Sequence, residues 1–186
     1  MATLLQVLHE PIKTLAITLA MTGLRIGEVL ALRWRSLDFE KNVIQVCEAV
    51  YEGHLSSPKS KSSIRDIPMG PSLQHLLSES RKAAHADAFV FASRSGTPLD
   101  SHNLLARVLK PACRRAGLPA ISWHSFRHTH ATLLSDLGES LKTAQAQLGH
   151  ARLSTTAEIY THVVPASQRA AIEKLEKAIW TQMDPS

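Results

Sequence analysis

Between Trp123 and Thr132 the chain reads Trp-His-Ser-Phe-Arg-His-Thr-His-Ala-Thr, and no other run constrains its fold as much. Ser122 ahead of it is suited to an N-cap, so a helix is predicted over 123–136. On that helix His124 and Arg127 lie three apart and share a face. The planar, permanently charged fork of Arg127 suits phosphate oxygens. Any fold for this chain therefore has to accommodate a cationic helix face.

Two further runs follow, Leu148-Gly149-His150 and Glu158-Ile159-Tyr160-Thr161-His162. Tyr160 is one of only two tyrosines and sits among polar neighbours, where a phenol can act as a nucleophile. The N-terminal third offers a second cationic element, Thr22-Gly23-Leu24-Arg25-Ile26-Gly27-Glu28, leading into Val29-Leu30-Ala31-Leu32-Arg33-Trp34.

A chain of 186 residues fits one domain or a domain with a tail, and 44% hydrophobic residues suffice for a core. The formal charge of +5 favours polyanions in general. It gains meaning because Arg25, Arg127 and the 59–65 segment fall within the motifs. Cys47 and Cys113 match no metal or redox spacing, and Cys113 reads as a small core residue in a reduced setting. The first thirty residues show no basic start followed by an apolar core and a cleavage site, and no apolar run approaches the ~18 residues of a membrane span. The expectation is a soluble, cytoplasmic protein with no membrane contact.

The periodicity predicts helices over 11–21 and from about Arg25 to Arg33, separated by Thr22-Gly23, which puts Arg25 at a helix start where backbone amides also point toward an anion. Residues 43–51 alternate and are β-branched, as in a strand, and Ile64–Pro68 reads as a short second strand ended by proline. Together they suggest a small antiparallel sheet with a basic hairpin. Further helices are expected over 71–84, from Asp100 or Ser101 to about Ala116 before Gly117, and over about 167–181. Residues 88–91 read as a brief strand or an extended segment. Gly138, Gly149 and Pro165 punctuate shorter helices. The fold class is mainly α with a small antiparallel β-sheet.

Taken together and in this order, TGLRIGEVLALRW, HSFRHTHA, LGH and IYTH resemble the catalytic domain of the tyrosine site-specific recombinases, the phage integrase family. The resemblance runs from about residue 11 to about residue 165. It implies a helical catalytic domain with a three-stranded sheet on one side. Members usually carry an additional N-terminal DNA-binding domain. The expectation is thus a single catalytic domain over 1–186, with a tail helix at about 167–181 and without that N-terminal domain.

The implied reaction is cleavage and rejoining of DNA through a covalent 3′-phosphotyrosine, without metal, ATP or other cofactor. It needs a phenol that attacks phosphorus, fixed cations for the non-bridging oxygens, and a proton for the leaving 5′ oxygen. Tyr160 is the implied nucleophile, and Arg25 and Arg127 the phosphate clamp. Lys59 is the choice for general acid, with Lys61 a rival two residues on. His124 would hydrogen-bond the phosphate or assist proton transfer at Tyr160, and His150 would contact the phosphate. Glu28, three after Arg25, would orient an arginine or histidine rather than move protons. Lys61, Arg65, Arg33 and Arg35 are candidates for DNA backbone contacts, as are Arg107, Arg114 and Arg115. Tyr51 is read as structural, and His128, His130 and His162 as structural or supporting.

The expected partner is double-stranded DNA. The family works as a tetramer on two DNA sites, so a homotetramer on DNA and a monomer when free are expected. The stripe Ala171, Ile172, Leu175, Ala178, Ile179 would pack on a neighbouring subunit or fold back on its own domain. Three other readings stand beside this one. A metallohydrolase would use His124 and His128, four apart, but no acid completes the pattern and Arg127 would repel a cation. The others are a type IB topoisomerase and a DNA-binding protein without catalysis.

Overall fold

The computed structural model describes residues 1–56, 64–149 and 172. After helix α1 (Ala2–Val7), which buries Leu4, comes the most buried helix of the first unit, α2 (Ile12–Thr22), which buries Ile12, Leu15, Ala16 and Leu19. Thr14, Thr18 and Thr22 are buried on α2 as well. The hydroxyls of Thr18 and Thr22 donate to the carbonyls of Thr14 and Thr18 at 2.9 and 2.6 Å, so neither is stranded in the core. Gly23 ends the helix in the left-handed conformation (φ 65°), its N–H closing on the Leu19 carbonyl.

Helix α3 (Ile26–Leu30) is shorter than the run to Arg33 that the periodicity predicts. Beyond Ala31 the backbone finds partners elsewhere. Trp34 N–H donates to the Ala88 carbonyl at 3.1 Å, and Val90 N–H to the Leu32 carbonyl at 2.8 Å. Arg33 is therefore extended, and Trp34–Ser36 form a single 3-10 turn. The same contacts settle residues 88–91, an extended segment laid beside 32–34 and bridged to it at Arg33 and Phe89.

The strand expected over 43–51 is two strands in two sheets. Strands β1 (Leu37–Asp38) and β2 (Val43–Val46) belong to a three-stranded antiparallel sheet in which β2 is the middle strand. Strand β3 (Ala49–Tyr51) instead forms a hairpin with β4 (His54–Ser56) across the Glu52-Gly53 turn, both turn residues having positive φ. The chain leaves the first sheet because β3 lies against α3. A Cβ on Gly27 would come within 2.4 Å of the Val50 carbonyl oxygen, so only glycine permits this approach. Strand β5 (Arg65–Pro68) returns to β2, with Ile44 opposite Ile67, both buried, and Val46 opposite Arg65. Tyr51, read as structural, stands exposed in the hairpin.

Helix α4 (Pro71–Arg81) buries Leu73 and Leu77 and stops before Lys82, whose φ of 44° breaks it short of residue 84. Helix α5 (Ser101–Leu104) starts at an Asp100 cap that accepts from the Asn103 N–H at 2.6 Å. A wider π turn over Leu105–Leu109 joins it to α6 (Lys110–Arg115). Pro111 lacks the N–H that a regular helix would need there, which accounts for the irregularity just before it. Gly117 (φ 66°) closes this run, and Cys113 is buried as expected.

Helix α7 (Trp123–Asp136) has the bounds the sequence predicts. Helix α8 (Leu141–Leu148) is capped by Ser140, which accepts from the Thr143 N–H, and ends at Gly149 (φ 64°). The chain divides into two units, 1–129 and 130–186, the division falling inside α7. The first holds a continuous core including Leu15, Leu19, Val29, Ile44, Ile67, Leu73, Leu109 and Phe126. In the second, Ala131, Ala144 and Leu148 are fully buried. No helix among the described residues is long and apolar enough to cross a membrane. The tail helix expected at about 167–181 lies, but for residue 172, outside the described residues.

Candidate functional site

A single buried carboxylate organises the first unit. Arg25 is the N-cap residue of α3, extended at φ −72° and ψ 150°, and Glu28 lies three residues on. Glu28 Oε2 accepts from the Arg25 backbone N–H at 2.8 Å, half of a capping box; an arginine side chain has no acceptor to complete the other half. Glu28 Oε1 accepts from Arg25 Nη1 at 3.1 Å. Arg65, at the start of β5, grips the same carboxylate with both terminal nitrogens, Nη1 to Oε1 and Nη2 to Oε2, each at 3.0 Å. The Glu28 and Arg65 side chains are only 7% and 9% exposed, whereas Arg25 is 47% exposed. Burial alone would raise the Glu28 pKa. The Arg65 hydrogen bonds and charge, with those of Arg25, more than offset this and hold it below the usual carboxylate value.

Arg127 reaches this cluster from α7. It is 2% exposed and donates from Nη1 to the Gly23 carbonyl at 2.6 Å, the turn that leads into Arg25. Its pKa falls to about 10, first through burial and then through the positive charge of Arg25; Glu28 pulls it back up and Arg65 adds to the lowering. Arg127 thus stays charged at neutral pH, while it and Arg25 are close enough to repel one another. His124, one turn before Arg127, is exposed, with its ring edge-on to that of His128 at 4.7 Å. Its pKa is lowered by partial burial and by the charges of His128, Arg127 and Arg25, which favours a neutral imidazole. Among the described residues no group of three or more His, Cys, Asp or Glu side chains closes into a metal cage.

Arg25, Glu28, His124 and Arg127 are therefore brought together, from segments about a hundred residues apart. Arg65 joins them, but as a buried partner of Glu28. Its spacing after the lysines pointed to DNA; the signal that finds its actual place is the buried Glu28, which requires a cationic partner. Arg33 lies apart from this cluster. Its Nε donates to Glu48 at 3.0 Å, its Nη1 to the Asp87 carbonyl at 2.6 Å, and its guanidinium stacks on Phe89 at 4.2 Å. Arg35 pairs with the Asp87 carboxylate. Arg115 donates to the Val7 carbonyl. Lys59, Lys61, His150, Tyr160 and His162 lie outside the described residues.

Compared with known proteins, residues 1–167 match the model of the phage integrase family. The chain belongs to the phage integrase family. This family member is 36% identical to a "Tyrosine recombinase XerC-like" protein of Caldanaerobacter subterraneus subsp. tengcongensis, over 83% of this chain and 46% of the relative. It is 32% identical to the ICEBs1 integrase of Bacillus subtilis, over 88% of this chain and 48% of the relative. Among solved structures, the Tn1549 transposon integrase in complex with transposon right end DNA superposes with a TM-score of 0.78 at 28% identity, covering 94% of this chain and 63% of that one. This integrase-family chain thus spans about half the length of the curated relatives it matches. The mainly helical fold with small antiparallel sheets is that of a tyrosine recombinase catalytic domain.

Proposed function

We propose that this chain cuts and rejoins double-stranded DNA as a tyrosine recombinase, with Tyr160 as nucleophile and no metal or ATP. The observation that carries the reading is the pair Arg25 and Arg127: Arg127 is buried with its Nη1 on the Gly23 carbonyl, two residues from Arg25, and burial first, then the charge of Arg25, lowers its pKa to about 10. A fold that confines like charges in this way gains from an anion placed between them. The DNA complex formed by the Tn1549 integrase supports the choice of anion.

In the reaction the Tyr160 phenolic oxygen forms a bond to phosphorus as the bond from phosphorus to the 5′ oxygen breaks. Arg25 and Arg127 stabilise the charge that builds on the non-bridging oxygens. Neutral His124 accepts the phenol proton, in keeping with its lowered pKa. Lys59, or Lys61 beside it, donates the proton that the leaving 5′ oxygen takes up, and His150 hydrogen-bonds the phosphate. The phosphotyrosine conserves the energy of the broken bond, so a 5′ hydroxyl can reverse the step. The protein works in the cytoplasm, as a monomer when free and a homotetramer on DNA. Lys61 adds backbone contacts at the margin.

The test is a nicked suicide duplex from which the short strand bearing the freed 5′ hydroxyl diffuses away after cleavage. The unaltered chain is expected to become covalently trapped, in chelator as well as without it, and Tyr160→Phe is expected not to. Trapping that persists in Tyr160→Phe removes the assigned nucleophile, and DNA binding without trapping by the unaltered chain turns the reading into that of a DNA-binding protein. Light scattering that finds a stable tetramer without DNA contradicts the assembly proposed.

A further inference from the structure

Arg65 resembles a surface cation in sequence and is nothing of the kind in the fold. It opens β5, where the sheet register sets it opposite Val46, and its fork is spent on a carboxylate 37 residues earlier in the chain. Each Glu28 oxygen is shared between Arg65 and Arg25. Oε1 accepts from Arg65 Nη1 and from Arg25 Nη1, at 3.0 and 3.1 Å. Oε2 accepts from Arg65 Nη2 and from the Arg25 backbone N–H, at 3.0 and 2.8 Å. Two parallel bonds fix the plane of a carboxylate where a single bond would let it turn. Turning the Glu28 carboxylate would break both of its links to Arg25. The backbone beneath is held as firmly, because Gly27 abuts the Val50 carbonyl and leaves α3 no room to shift toward β3.

We propose that Arg65 is a positioning residue: acting through Glu28, it fixes the direction of the Arg25 guanidinium and does not itself touch DNA. The inference rests on the reading above, in which Arg25 meets the scissile phosphate. It predicts a particular defect. An Arg65 variant binds DNA as before but stabilises the charged phosphorane poorly, as Arg25→Ala does. Lysine does not restore the fork, because a single ammonium cannot make two parallel bonds.

The experiment uses the full chain and a nicked suicide duplex chosen from a randomised pool by its covalent capture on the unaltered protein. Two forms are compared, one with an ordinary scissile phosphodiester and one with a methylphosphonate. In the latter a methyl group replaces one non-bridging oxygen, so the reacting group is neutral and has less need of a cation. Single-turnover capture is timed at saturating DNA, and affinity is measured separately by fluorescence anisotropy. Arg65→Lys and Arg65→Gln are expected to slow capture of the phosphodiester by about 10-fold or more, the usual cost of removing a partner that orients a functional group. The ratio of phosphodiester to methylphosphonate rates is expected to fall as it does in Arg25→Ala, with affinity unchanged. Loss of folded protein slows both substrates alike and leaves that ratio untouched. Equal slowing of the two, a loss of affinity with the saturated rate intact, or no change at all overturns the inference. If the unaltered chain captures nothing from the pool, the recombinase reading falls first and takes this one with it.

Discussion

Two arginine clusters, one around Arg25 and one around Arg33 eight residues on, treat their charge differently. At Arg33 and Arg35 the cations meet Glu48, Asp87 and the face of Phe89, an arrangement in which each charge has its counterpart. At Arg25, the described neighbours are one carboxylate and two more guanidiniums, and burial first, then the Arg25 charge, lowers the pKa of Arg127. The first cluster ties the 33–35 segment to the 85–89 turn. The second gathers positive charge and leaves one member, Arg25, half exposed. An arginine-rich stretch is thus not a functional unit; the number of acids within its reach decides what it can bind.

The sharpest way to break this contrast is to remove one arginine from each cluster. Arg25→Ala or Arg127→Ala is expected to slow covalent capture by about 100- to 1000-fold, by analogy with lost oxyanion donors. Arg33→Ala should leave the rate at saturating DNA close to that of the unaltered chain. Equal losses at both places would erase the distinction. Next in size is Glu28→Gln, which keeps the shape of the side chain but leaves Arg65 buried beside a neutral amide. The expected cost is about 3 kcal/mol in denaturant unfolding, the usual penalty for breaking a buried pair from one side. Arg35→Ala, which removes an exposed partner of Asp87, should cost about 1 kcal/mol or less in the same measurement.

Acid sharpens the comparison further. The folded-state pKa of Glu28 lies below its ordinary 4.5, so the folded state holds the proton less tightly than the unfolded chain. The stabilisation it contributes is present above pH 4.5 and is lost as pH falls through the folded value. Unfolding curves of the unaltered chain should therefore weaken over that range more steeply than those of Glu28→Gln. The smallest effect belongs to His124. Its folded pKa is lowered from 6.5, so stability should decline slightly as pH falls below 6.5, and His124→Gln should flatten that slope.

Local patterning made much of this fold legible in advance. Helices α2 and α7 follow from spacing and punctuation, and Gly23, Gly117 and Gly149 each close a helix with positive φ. The division of residues 43–51 between two sheets was hidden, because no glycine, proline, asparagine or aspartate marks a turn between Val46 and Ala49. What divides it is the approach of α3 at Gly27, a contact between segments that no local window joins. The irregular turn before Pro111 did have a visible cause in the proline. Within the site, Arg25, Glu28, His124 and Arg127 converge as the motifs suggest. Arg65 shows the limit of such reading, since its burial depends on a pairing across 37 residues and its spacing after the lysines pointed to DNA.

The bond from Arg127 to the Gly23 carbonyl has one further consequence. A peptide oxygen is a dipole without net charge, so it steers the guanidinium without cancelling its charge. An aspartate in the same place would aim the side chain equally well and silence it. By tethering this arginine to backbone, the turn after α2 keeps a deeply enclosed cation audible to an incoming anion, and no side-chain substitution at residue 23 can remove the tether's acceptor.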